Sequence, residues 1–149
     1  MIYLTIEILL WKEWNWVLDN KNKLSVYRIE AAKEKLDSAS LLLQENKYKD
    51  CVNRSYYAIF NAIRSLLALE GIDYKKHSAV ISHFRQQYIK TGVFDKELSI
   101  IVGNAFQVRN QSDYEDFFMV SKEEAKEQCE NAKKFITEIE VYLKKNSIV

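Results

Sequence analysis

Apolar residues recur along this chain at intervals of three and four, the period of a helix face, and not at the interval of two that marks a half-buried strand. From residue 24 onward Ile29, Ala32, Leu36, Ala39 and Leu43 share one face, and Asn46 predicts where that helix stops. A second helix is predicted from Lys47 to Glu70. Val52, Tyr56, Ile59, Ile63 and Leu66 form its inner stripe, and Gly71 stands where a C-terminal glycine cap belongs. Asp73 predicts the cap of a third helix through Val80, Ile81, Phe84 and Tyr88, ending near Gly92. Asp95 predicts the cap of a fourth, with Leu98, Ile101, Val102, Ala105 and Val108 inside. Gly103 weakens that helix, which predicts a close helix–helix approach there. The fifth has the clearest start: Ser121 and Glu124 fit the capping box S-x-x-E, followed by Ala125, Cys129, Ala132, Ile136, Ile139 and Leu143.

Proline is absent and glycine occurs three times, too few for a domain built from many tight turns. The fold predicted is therefore all-α: an up-and-down antiparallel bundle of four to five helices joined by short loops. The bundle is assigned residues 24–149. Residues 1–23 are assigned to a Trp-rich N-terminal extension, with the polar run Asp19 to Lys23 as a linker. The extension carries Trp11, Trp14 and Trp16 after a nearly apolar start. It is too short to span a bilayer and lacks the basic region and cleavage site of a signal peptide. It can pack on the bundle or across a dimer. A membrane-surface role is disfavoured because its polar side holds little Lys or Arg, so no membrane partner is expected.

The net charge of +1 makes no global case for nucleic acid. The distribution is uneven, however: residues 47–110 hold ten Lys/Arg against five Asp/Glu, and residues 111–149 hold six against nine. A basic middle can face phosphates, and charged lumps are also what ordinary solvated helix faces show. Cys51 and Cys129 lie far apart at apolar helical positions with no C-x-x-C pair, so free thiols and a cytoplasmic setting are expected.

No zinc-type spacing, HExxH, phosphate loop or nucleophile elbow is present, and no cofactor is expected; His77 and His83, six apart, point in different directions on a helix. Two polar clusters remain. The first is Asn53-Arg54-Ser55-Tyr56-Tyr57-Ala58, two phenols and a guanidinium in an otherwise apolar helix, with Arg64 ten residues after Arg54. These tyrosines can be core aromatics with hydroxyls at a polar edge, Arg54 snorkelling to water, or they can line a binding cleft. The second is Arg109-Asn110-Gln111-Ser112-Asp113-Tyr114. Arg109 can grip a phosphate with two N–H groups, or it can form an ordinary helical ion pair with Asp113.

The blocks AAKEKLDSASLLL, YKDCVNRSYYAIFNAIRSLLALEGI, KKHSAVISHF, VRNQSDYEDF and SKEEAKEQCENAKKFITEIEVYL, in this order, resemble the HEPN superfamily, in its small prokaryotic branch associated with minimal nucleotidyltransferases. The resemblance covers about Leu24 to Leu143, and the pairing of NRSYYAIF with R-N-x-x-D-Y is its specific part. It implies a helical bundle, a homodimer, and a toxin–antitoxin pairing with a nucleotidyltransferase. Active members are metal-independent RNases using an R-x4–6-H motif, in which arginine binds phosphate and histidine transfers a proton. Arg109 matches the motif arginine and Asn110 the polar residue after it, while Tyr114 stands five residues on, where the histidine would fall. A phenol titrating near 10 is a poor base at neutral pH. Asp113 is then the candidate proton acceptor and Tyr114 the donor to a phosphate oxygen, with Arg54, Tyr57 and His77 as binding residues. By position Tyr114 also matches a tyrosine that the partner enzyme modifies with AMP in related toxins. Three readings follow: an RNase toxin with a degenerate motif, a non-catalytic nucleotide- or nucleotidyltransferase-binding module, and a plain structural bundle.

Overall fold

A computed structural model describes residues 2–149. Five α-helices follow in order: α1 (Ile2–Gln44), α2 (Tyr48–Glu70), α3 (His77–Phe84), α4 (Lys96–Tyr114) and α5 (Lys122–Lys145). No strand occurs among the described residues. α2 is the central element: α1, α3, α4 and α5 all pack against it. Its buried side chains therefore cover more than one face, from Cys51 and Val52 through Tyr56, Ile59 and Ile63 to Leu66 and Leu67.

The helix ends follow local chemistry. Gly71 closes α2 at φ 68°, a left-handed conformation in which a side chain is strained, and its N–H bonds back to Ala68. Asn46 takes φ 60° after α1, an uncommon conformation that asparagine tolerates better than most residues. Asp95 caps α4 by accepting from the Glu97 N–H, and Ser121 and Glu124 form both bonds of the capping box on α5.

Three local expectations are corrected. Asp19 to Lys23 is not a linker: it lies inside α1, which runs unbroken for 43 residues, about 65 Å. The segment has no Gly or Pro to end the helix, and a Lys23–Asp19 ion pair at 2.9 Å spans one turn of it. Residues 2–20 of α1 are exposed throughout and extend past the bundle, whose first buried α1 residue is Ser25. Asp73 does not cap the third helix. α3 begins four residues later at His77 behind an extended Lys76, and the Asp73 carboxylate pairs instead with Arg64 at 2.8 Å. Beyond Phe84 the chain widens into a π-type turn, Arg85–Ile89. Gly103 does not mark an approach of two helix backbones. A Cβ there would lie 2.8 Å from Arg85 Nη2, so the missing side chain makes room for a guanidinium that also bonds Ser99.

The capping box yields a stability test. Ser121→Ala removes one acceptor from the start of α5 and is expected to destabilise the fold by about 1 kcal/mol, a fall of about 3 °C in Tm by calorimetry. An unchanged Tm would show that water replaces the cap without loss.

Candidate functional site

Neighbouring tyrosines on a helix point about 100° apart, so Tyr56 and Tyr57 divide between interior and edge. Tyr56 is fully buried; Tyr57 is half-buried at the rim. Arg109, near the C-terminal end of α4, lies against both rings, with its guanidinium carbon 5.4 Å from the centre of Tyr56 and 5.5 Å from that of Tyr57. Such contacts favour a cation over an aromatic face, more so where water is partly excluded. The guanidinium also donates from Nη2 to the Tyr57 hydroxyl at 2.8 Å and from Nη1 to Asn110 Oδ1 at 3.1 Å. Asp113 Oδ2 is 3.0 Å from Nε, but that buried N–H is not aimed at an acceptor, so the contact is an ion pair without a hydrogen bond. Only 14% of the Arg109 side chain is exposed. A guanidinium has five N–H groups, so one on each terminal nitrogen stays unspent.

His77 enters the same cluster from the first position of α3. Its ring stacks on Phe60 with centres 4.2 Å apart, meets Tyr57 edge-on, and places Nδ1 2.8 Å from the Tyr56 hydroxyl. Arg109 and His77 thus share the same two tyrosines, although 32 positions separate them in the chain. Nε2 of His77 makes no hydrogen bond within the described residues. His77 borders an open hollow of about 520 Å³ lined also by Phe60, Arg64, Asp73, Tyr74 and Lys75. A second hollow, about 460 Å³, includes Asn110 and Tyr114 in its wall. Tyr114 itself is largely exposed, its ring 5.9 Å from the Arg109 guanidinium carbon.

Electrostatics follow from this crowding. Partial burial, then the charges of Arg109 and Arg64, hold the His77 imidazole below its ordinary pKa of 6.5. Burial pushes the Tyr56 phenol well above its ordinary value against the pull of Arg109, so it stays protonated. Desolvation tends to raise Asp73, yet the bond and charge of Arg64, the Tyr74 N–H and the charge of Arg28 outweigh it and keep the carboxyl low.

The structure brings together Tyr57, His77, Arg109, Asn110, Asp113 and Tyr114. It does not bring in Arg54, which is exposed and outside the cluster. The basic residue of α2 beside His77 is instead Arg64, which reaches the loop before α3 through Asp73. Phe60, Asp73, Tyr74 and Lys75 were not singled out as site residues from the sequence; the spacing of Tyr57, Phe60 and Arg64 on one stripe of α2 was the available signal. His83 is committed elsewhere, to Glu70 through Nε2 and to Tyr74 through Nδ1. Among the described residues no group of three or more His, Cys, Asp or Glu could hold a metal, and no helix is long and apolar enough to cross a membrane.

With this geometry in view, the comparisons with known proteins define the class. Residues 25–142 match the HEPN domain, and the chain belongs to that family. It is similar to a UPF0332 protein of Thermotoga maritima, 34% identical over 123 residues, covering 83% of this chain and 93% of the relative. A protein of Methanocaldococcus jannaschii named as a putative toxin is 31% identical over 121 residues, covering 81% of this chain and 82% of the relative. A second protein of that organism with the same kind of name is 32% identical over 116 residues, 78% of this chain and 86% of the relative.

The depressed His77 pKa carries a sign for stability. The unfolded imidazole binds a proton near 6.5 and the folded one only at lower pH. The contribution of a neutral His77 is therefore present above 6.5 and lost as pH falls through the folded value. Urea midpoints measured between about pH 7.5 and 5.5 should fall on acidification, and His77→Gln should flatten that slope. An unaltered slope in the variant would place the proton uptake on another group.

Proposed function

We propose that this protein is an RNA-directed toxin that cleaves RNA without a metal and is held in check by a nucleotidyltransferase partner. The observation that carries this reading is the Arg109 guanidinium: oriented by Tyr57, Asn110 and Asp113, backed by aromatic rings, and left with one unspent N–H on each terminal nitrogen. A planar fork held in place with spare donors suits the bidentate grip of a phosphate. Asp113 keeps the fork in register, and Tyr114, exposed at the rim, donates to a phosphate oxygen. Asn110 and Tyr57 complete the binding edge. The toxin names carried by relatives that span most of this chain support the biological setting. Two copies forming a homodimer would juxtapose two such sites, and the partner enzyme would recognise the exposed Tyr114.

A second reading is favoured by one specific observation: a tyrosine, not a histidine, stands five residues after Arg109. On that reading the cluster binds a nucleotide or the nucleotidyltransferase without cleaving RNA.

Incubation with total RNA and tRNA in EDTA separates the two. Wild-type protein is expected to cleave, Arg109→Ala to lose at least about a hundredfold in rate, and Arg109→Lys, which keeps charge but not the fork, to recover little. The unfolding midpoint should report Arg109→Ala as folded. Absence of cleavage by wild type, together with a stable complex with the nucleotidyltransferase, would establish the binding module instead.

A further inference from the structure

We propose that His77 is the proton-transferring residue of this site, taking at Nε2 the proton of an attacking ribose 2′-hydroxyl while Arg109 holds the adjacent phosphate. The inference rests on the RNase reading above and names the group that supplies its chemistry. Beside Arg109 its own helix offers a carboxylate already paired with the guanidinium and a phenol, neither of them a good base. The imidazole that sequence spacing fails to supply is delivered by the fold from another helix. Arg109 and His77 rest on the same pair of tyrosine rings, and the Arg109 charge is felt at the imidazole, so the two groups that phosphodiester cleavage needs belong to one cluster.

The surroundings of His77 suit proton transfer. Stacking on Phe60 fixes the plane of the ring. The Tyr56 hydroxyl holds Nδ1, and a hydroxyl can donate or accept, so either tautomer keeps its partner while Nε2 gives or takes a proton. Tyr56 is thus a positioning residue. Nε2 has no competing bond within the described residues, and the imidazole borders the 520 Å³ hollow, a volume in the range of small-ligand sites. The hollow carries Arg64 and Lys75 for phosphate and the half-exposed ring of Tyr74 for a base; Asp73, tied to Arg64 and Arg28, supplies the opposing charge. The charged and titratable groups facing His77 are Arg64, Tyr56 and Tyr57 from α2, Arg109 from α4 and Asp73, Tyr74 and Lys75 from the preceding loop.

The step balances without any further reagent. The 2′-oxygen forms a bond to phosphorus as its proton passes to Nε2, and the bond from phosphorus to the 5′-oxygen breaks. Water protonates the departing 5′-oxygen and the imidazolium returns its proton to solvent, leaving a 2′,3′-cyclic phosphate and a 5′-hydroxyl. The need for a 2′-hydroxyl restricts the substrate to RNA. Single-stranded RNA is favoured, because a flexible strand can seat one nucleotide in the hollow and its phosphate on Arg109.

The test is cleavage of a labelled single-stranded RNA oligonucleotide in EDTA across pH, with binding measured separately on its 2′-deoxy counterpart. His77→Gln is expected to lose at least about a hundredfold in cleavage while binding the deoxy strand within about threefold of wild type. Wild-type rate should fall on acidification with a midpoint below 6.5, and Tyr56→Phe, with the ring kept and the hydroxyl gone, should shift that midpoint without abolishing cleavage. Wild-type cleavage matched by His77→Gln, with the same acid limb, would overturn the assignment and leave the RNase reading standing. No cleavage by wild type, with deoxy-strand binding lost in Arg109→Ala, would overturn both.

Discussion

Everything in this fold depends on α2 being enclosed. Helices pack on it from several sides, so its sequence must be apolar or small around most of its circumference. Ser55, Ala58, Ala62 and Ser65 are fully or almost fully buried, as are Ser25, Ala32 and Ala39 on α1, and small side chains let helices lie close together. The Ser65 hydroxyl bonds back to the Ala62 carbonyl and the Ser55 hydroxyl faces the Cys51 and Cys129 thiols, while the buried Ser25 hydroxyl has no hydrogen-bond partner, a local cost accepted where close packing dominates.

That enclosure creates the site. A helix buried on most sides has only a narrow edge left for polar chemistry, and Tyr56 and Tyr57 straddle it. Tyr56 turns inward yet keeps its hydroxyl within reach of His77; Tyr57 turns to the rim and offers its hydroxyl to Arg109. The aromatic rings then serve two purposes at once. They continue the core through Phe60 and Phe106, and they present faces to a guanidinium. The same low-dielectric surroundings that strengthen the Arg109–Asp113 pair disfavour a second positive charge nearby, which is why His77 resists protonation. A second ion cluster, Arg64 and Arg28 on Asp73, anchors the loop leading into α3 and so sets where His77 stands.

The contrast between α1 and α3 shows how local signals compete. Asp19 to Lys23 reads as a loop because Asp and Asn favour turns, but a helix continues through weak formers when nothing breaks it and both flanks are helical. Asp73 has the composition of a cap, yet a carboxylate within reach of two guanidinium groups gains more from ion pairing than from one backbone N–H, and α3 starts without a side-chain cap. Gly103 signalled tight space correctly, while the occupant of that space, Arg85, comes from the turn after α3 and left no mark near Gly103 in the sequence.

From residue 24 onward, periodicity and cap signals determined the helices, their inner stripes and most of their ends, because amphipathic spacing, glycine caps and capping boxes act over a few residues and can be read locally. The R-N-x-x-D-Y block likewise marked Arg109, Asn110, Asp113 and Tyr114, since residues within about a turn and a half of a helix lie close together whatever the fold. What only the tertiary structure decided is which distant groups join them. Tyr57 meets Arg109 across 52 positions, His77 meets Tyr56 across 21, and Arg54 turns out to face solvent while Arg64 lies beside His77. Those meetings follow from how α2 is enclosed by its neighbours, a property of packed surfaces and not of any short stretch of sequence.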